Sequence, residues 1–301
     1  MLVRIRHATR FAYGQEARDS HNELRLRPLD AEGQRCVEYD LSIDQPAAVL
    51  PYRDFFGNNA HSVSVSAPHR ELTIVSQALI ERDEQVSNTY PEVTFRTFLA
   101  EDAAHIRDYC EFLNPSHYIP FSERLQKLFW QARPGDSEDV AAYVMRMVQW
   151  VRDQFDYQKA RTNVHSNLDD ILKSGSGVCQ DFAHLTIGFL RLAGVPARYI
   201  SGFLAPNKGS TDLGEQASHA WLEAWLPHAG WTGFDPTLRY RTDERHIKVA
   251  IGRDYADVPP LKGTYRSNHA NQVMTVDVKV VYTSSTSLTD DLNSQAAQAQ
   301  Q

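Results

Sequence analysis

Residues 175–185 read "GSGVCQDFAHL", and the apolar run that they open continues to Ala193. In "VCQDFAHLTIGFLRLA" apolar residues fall nearly all round a helical wheel, and Gly194 with Pro196 marks the end. Such a helix is stable only when buried. The neighbouring sequence must therefore cover it on more than one side.

Both covering layers are legible. Downstream, "ARYISGFL", "HAWLEAWL", "GWTGFDP" and the later "VMTVDVKVVYT" are rich in aromatic and β-branched residues and read as a mainly antiparallel sheet on the buried helix. Upstream, helical patterns run over 97–112, 122–132 and 137–156. In the last, Val140, Val144, Met147, Val148, Val151 and Phe155 recur at three- and four-residue spacing, with Asp136 or Ser137 placed to cap the start. From the start to about residue 85, "VRIRHATRFAY", "CVEYDLSID", "HSVSVSAP" and "ELTIVSQALIER" read as strands, and "DFFGNNAHS" supplies turn residues. The expected fold class is α+β: a helical layer packed on an antiparallel sheet, preceded by a small antiparallel β-domain. The expected divisions are 1–88, 89–284 and a polar, low-complexity tail at 285–301 that cannot order itself.

A chain of 301 residues fits two domains, and 42% apolar with 23% charged residues is ordinary for a globular protein. The formal net charge of −7 gives no basic field for nucleic acid or anionic lipid. No window approaches the roughly 18 apolar residues of a membrane span. Neither nucleic acid nor membrane is an expected partner; a small molecule or a polypeptide substrate is. The start, "MLVRIRHATRFAYG", lacks an apolar leader core, and Cys36, Cys110 and Cys179 are odd in number with no CxxC pair. That pattern reads as free thiols in the cytoplasm.

A cysteine at a helix start feels the positive end of the helix dipole and unsatisfied backbone N–H groups, which favour thiolate and can hold an oxyanion. Cys179 has that position, behind Gly175 and Gly177. Cysteine is also a common buried residue, so position alone leaves a packed thiol open. Cys36 and Cys110, without glycines or a helix start, read as core thiols.

A nucleophilic cysteine needs a base, and His219 opens "HAWLEAWLPHAGWTGFDPT", which runs through a turn to Asp235. Asp235 could hold the other ring nitrogen, although an Asp before a Pro also serves as a turn residue. Direct opposition of His219 and Asp235 requires the reversal to centre on Pro227, whereas a four-residue turn would pair Leu226 with Trp231. A bulge or longer loop is therefore expected, and a structure without His219 opposite Asp235 would count heavily against their acting together. His184 lies about 140° round the helix from Cys179 and reads as packing; His228 falls in the loop. No HExxH, GxSxG or phosphate-binding glycine loop is present, so no metal and no cofactor is expected.

"GSGVCQDFAHLTIGFLRLAGVPARYISGF" followed by "HAWLEAWLPHAGWTGFDPT" resembles the core of the transglutaminase-like superfamily in its bacterial form. "RHATRFAY", "HNELRLRPLD" and "DFFGN" are similar to the β-domain that precedes this core, and "HIKVAIGRDYADVPPLKGTY" resembles the same subgroup. The resemblance implies a papain-like core in which Cys179 is the nucleophile, His219 the general base and acid, and Asp235 the orienting carboxylate. Asp181 and Phe182 match the pattern after the cysteine, as cap, packing or substrate contact, and Arg253, Asp254 and Tyr255 match the subgroup segment. The second oxyanion donor stays open among Gln158, Asn163 and His165. No calcium loop and no extra C-terminal β-domains are seen, so calcium-activated cross-linking is not implied. The functional expectation is a cysteine-dependent acyl-transfer enzyme on peptide or glutamine-type amides, with hydrolysis favoured because a transferase must exclude water. The alternatives are amine transfer and a non-catalytic peptide-binding module.

Overall fold

The computed structural model describes residues 1–83, 91–101, 107–158, 168–207, 218–267 and 271–288. Alternating burial along β1 (Leu2–Leu24), with Val3, Ile5 and Phe11 inside, makes it the spine of a first, antiparallel sheet. Its first half lies between β5 (His69–Arg82) and β14 (Gln272–Thr283). Its second half lies between β4 (Asn59–Val65) and β13 (Leu261–Arg266). On the outside, β2 (Gln34–Ile43) joins β5 and β3 (Ala48–Arg53) joins β4.

The place of β14 corrects the sequence expectation. "VMTVDVKVVYT" was expected in the sheet on the buried helix, but it pairs with β1 from Leu2↔Thr283 to Tyr13↔Gln272. Alternation identifies a strand without naming its neighbour. Burial of Val280 with Val3, Ile5 and Ile80 selects the first sheet.

The helical layer follows the expected order. It comprises α1 (Phe95–Glu101), α2 (Glu123–Ala132), α3 (Val140–Gln154), α4 (Leu168–Ser174) and α5 (Cys179–Leu192). Of the expected helix over 97–112, residues 102–106 lie outside the described residues, and Cys110–Phe112 form a 3-10 turn. The cap of α3 is Asp139 rather than Asp136 or Ser137. One of its carboxylate oxygens accepts from Ala142 N at 2.8 Å and the other from Val93 N at 2.8 Å. Helix α5 is buried along nearly its whole length and packs on a second sheet. That sheet has the order β11 (Tyr240–Arg241), β10 (Gly230–Asp235), β9 (Ser218–Leu226), β8 (Ala197–Leu204), β12 (His246–Gly252). A short parallel pair, β6 (Asp156–Tyr157) with β7 (Ser176–Gly177), borders the start of α5.

Two side-chain amides, one at the start of β2 and one in the loop before β4, fasten the first sheet to the free edge of β12. Gln34 donates to Lys248 O at 2.8 Å and accepts from Lys248 N at 2.9 Å; Asn58 does the same with Ile251, both at 2.8 Å. The N-terminal region therefore covers one edge of the second sheet, and Phe203, Ile247 and Val249 share an apolar cluster with Val3 and Ile5. Of the expected tail, residues 285–288 lie against the first sheet, with Arg4 donating to Ser287 O and Leu288 N donating to Glu38; 289–301 lie outside the described residues. Among the described residues, no helix is long and apolar enough to cross a membrane.

Candidate active site

The chain enters α5 through a tight turn. Gly175 has φ +69°, and its carbonyl and that of Gly177 accept from Asp156 N at 2.9 Å and Gln158 N at 3.0 Å. Asp181 folds back so that its carboxylate accepts from Val178 N at 2.9 Å. A Cβ on Gly177 would lie 2.7 Å from that of Asp181, so the cap itself requires glycine there. Asp181 is thus a cap, and Phe182 is packing, fully buried and edge-on to Tyr157 at 5.8 Å. Cys179 is left half-buried at the mouth of the helix.

His219 and Asp235 reach each other diagonally. β9 and β10 pair in a regular register from Gly230↔Leu226 to Phe234↔Leu222, around a three-residue turn in which His228 has φ +58°. That register brings Asp235 level with Trp221, two residues from His219 and on the same face. The expected direct opposition and bulge are therefore absent, because a diagonal pair on one face lies within side-chain reach. His219 Nε2 stands 2.7 Å from Asp235 Oδ2, both side chains nearly sealed from solvent. Cys179 is the other group that acts on His219, and with Nε2 committed to Asp235 the remaining ring nitrogen is Nδ1. Burial works against a charged His219, but its bonds to Asp235 and Cys179 prevail and hold its pKa up at about 10. Burial likewise opposes the ionised form of Asp235, and the bonds from His219 and His246 outweigh it, holding the carboxyl well below the usual carboxylate range.

The chain matches the profile of the Transglutaminase-like superfamily over residues 130–236, which spans Cys179, His219 and Asp235. It also matches that of the Bacterial transglutaminase-like N-terminal region over residues 3–81. The chain belongs to the transglutaminase-like superfamily. An uncharacterized protein of Mycobacterium leprae is 34% identical over 90% of this chain and 95% of its own length. A protein-glutamine gamma-glutamyltransferase of Pseudomonas aeruginosa is 30% identical over 50% of this chain and 24% of its own length. Among solved structures, a Cytophaga hutchinsonii protein described provisionally as a cysteine protease superposes with a TM-score of 0.72 at 23% identity, covering 93% of this chain and 90% of that one. The expected α+β, papain-like fold with an N-terminal β region is the fold found.

One residue of this cluster escaped sequence reasoning. His246, at the start of β12, places Nε2 3.1 Å from the same Asp235 Oδ2, while Asp235 Oδ1 accepts from Thr237 N at 2.8 Å and Leu238 N at 3.2 Å. Its only sequence signal was its place in "HIKVAIGRDYADVPPLKGTY". His219, Asp235 and His246 form a cluster of metal-ligand type. Their nitrogen–oxygen separations of 2.7 and 3.1 Å are those of shared protons, which a bound ion would have to replace.

The other candidates sort by contact. His184 is fully buried, its Nε2 accepts from Tyr255 N at 3.2 Å, and burial pulls its pKa down to about 3, so it is packing as expected. Asp254 is buried and accepts from Tyr118 N and Ala256 N. Arg253 pairs with Asp257 and lines a cavity of about 1070 Å³ beside Phe55, Phe56 and Lys262. That cavity includes none of Cys179, His219 and Asp235. Of the oxyanion candidates, Gln158 sits beside the start of α5 through its bond to Gly177 O, and Asn163 and His165 lie outside the described residues. Cys36 is half-buried; Cys110, expected in the core, is exposed beside its 3-10 turn.

Proposed function

We propose that the chain is a cysteine-dependent acyl-transfer enzyme acting on peptide or glutamine-type amides, with Cys179, His219 and Asp235 as its catalytic residues and water as acceptor. The observation that carries this reading is His219 held 2.7 Å from Asp235, with Cys179 as the other group that acts on its ring. The sulfur attacks the amide carbonyl, and backbone N–H groups at the start of α5 face the resulting oxyanion. The C–N bond breaks as His219 gives its proton to the leaving nitrogen. Water then attacks the thioester, His219 takes a proton from it, and the C–S bond breaks to release the acid and restore the thiolate. Asp235 keeps the ring oriented in its charged and neutral forms alike and stabilises the imidazolium whenever it forms.

Location and organisation belong to the same proposal. Three cysteines without a disulfide favour the cytoplasm, and the β-domain is 1–88 with the later strands 261–283 added to it, the catalytic domain lying between. The test is incubation of the purified protein with a glutamine-containing peptide library, with and without a primary amine, read by mass. Cleaved or deamidated peptides without amine adducts support hydrolysis. Amine adducts move the reading to transfer, and no mass change beside an intact, alkylatable Cys179 moves it to a binding module.

A further inference from the structure

His246 takes no part in that scheme, yet its side chain is only 2% exposed and it holds the same carboxylate. Its Nε2 lies 3.1 Å from Asp235 Oδ2, the oxygen that also faces His219. On its far side, Nδ1 is 3.1 Å from the Asp243 amide and 3.0 Å from Asp243 Oδ1. If Nδ1 accepts from the amide, the neutral ring carries its proton on Nε2; if Nδ1 donates to the carboxylate, both nitrogens are protonated. Either way Nε2–H donates to Asp235. Trp221 meets the ring edge-on at 5.2 Å, and a Cβ on Gly202, opposite His219 in β8, would fall 2.4 Å from that indole.

We propose that His246 is a positioning residue for the chemistry of Cys179, setting through Oδ2 how tightly His219 holds its proton; this rests on the functional reading above. Asp235 receives four donors, two backbone N–H groups on Oδ1 and two imidazoles on Oδ2, which fills the lone-pair directions of a carboxylate. Without His246, the whole of Oδ2 faces His219. The imidazolium then binds its proton more tightly and becomes a poorer acid toward the leaving nitrogen. Among the described residues, the titratable groups facing His219 are Cys179 from α5, Asp235 from β10 and His246 from β12. Behind His246 stand Asp243 and Arg245, paired at 2.7 Å.

The test uses the full chain. His246→Phe keeps the ring and removes the donor, whereas His246→Gln can return an N–H near the Nε2 position. Histidine-selective ¹⁵N NMR reads the pH at which His219 loses its proton. In His246→Phe that midpoint moves up by about half a pH unit or more and returns toward the wild-type value in His246→Gln. A packing role would lower the unfolding temperature and leave the midpoint where it was; an unmoved or lowered midpoint in folded His246→Phe overturns the proposal. If His246→Phe fails to fold, His246→Asn loses the same donor and is read with the same two outcomes. The rate of Cys179 alkylation by iodoacetamide against pH, in wild type and His219→Ala, separates the two levels. An unchanged profile there removes the functional reading and this inference with it, whereas a changed profile with an unmoved His219 midpoint removes only the role of His246.

Discussion

Two buried carboxylates stand on neighbouring strands of the second sheet, each met by two nitrogen-bearing side chains, and only one of them is beside a nucleophile. Glu223 on β9 is 4% exposed and pairs with Arg198 of β8 at 2.6 Å and with Lys248 of β12. Asp235 on β10 is fully buried and pairs with His219 and His246. The partners of Glu223 are a guanidinium and an ammonium, and Arg198 also lies over Trp231 at 4.1 Å. That pair fastens strands. The partners of Asp235 are imidazoles, on one of which Cys179 also acts, so the same kind of carboxylate orients a ring that can pass a proton. The difference lies in the partner, not in the acid.

The sharpest way to break this comparison is to neutralise each acid by one atom. Asp235→Asn can turn an N–H toward His219 and invert its tautomer, and by analogy with other triads turnover falls on the order of 10³- to 10⁴-fold. Steady-state kinetics on any peptide found in the mass assay would show it, with Cys179→Ala as the zero. Glu223→Gln leaves two half-buried cations without an anion and costs about 3 kcal/mol of folding stability, read by urea denaturation. Its kcat per folded molecule stays within about twofold of wild type, since Glu223 touches neither Cys179 nor His219. A large loss of kcat in Glu223→Gln would show that the two acids work as one network.

How much of this was written in the sequence follows from how local each feature is. The helix at 179–192 was legible because its own residues state its period, its glycine stop and its burial. Cys179, His219 and Asp235 were legible by residue type and order within one helix and one hairpin. Their contact was misjudged in detail: the hairpin register differs by one step from the expected centre, and a diagonal does the work of direct opposition. His246 was invisible because the turn that brings it back onto Asp235 runs through β11 and leaves no periodic trace. β14 failed for the related reason that a strand's alternation does not name its partner.

A pH series sharpens the same contrast with opposite signs. His219, ordinarily near 6.5 and held at about 10 in the fold, contributes stability that is fully present below pH 6.5 and lost as pH rises through about 10. Burial pushes Glu223 up, but Lys248 and Arg198 overcome it and lower its pKa from 4.5, so its contribution is present above pH 4.5 and lost as pH falls below. Urea unfolding of wild type and His219→Gln should therefore differ by on the order of a few kcal/mol at pH 6 and converge near pH 10. Wild type and Glu223→Gln should instead converge in acid. A His219→Gln gap that persists unchanged at pH 10.5 would mean that packing, not charge, holds His219.

The smallest effect asks whether the covered edge of β12 belongs to either site. Gln34 donates to Leu29 O at 2.7 Å and makes a reciprocal pair with the backbone of Lys248, whose ammonium serves Glu223 and which lies two residues from His246. Gln34→Ala strips those bonds from a residue that is 5% exposed and takes the partner of Lys248 N, while Lys248 O keeps its bond from Leu29 N, at a cost of about 1–3 kcal/mol. Because the bonds lie on backbone and Glu223 is held through side chains, the loss appears in the urea midpoint while the His219 titration midpoint stays put. A shift of that midpoint in Gln34→Ala would mean that the edge strand transmits its position to His246, and that the N-terminal sheet sets the geometry of the carboxylate as well as covering an edge.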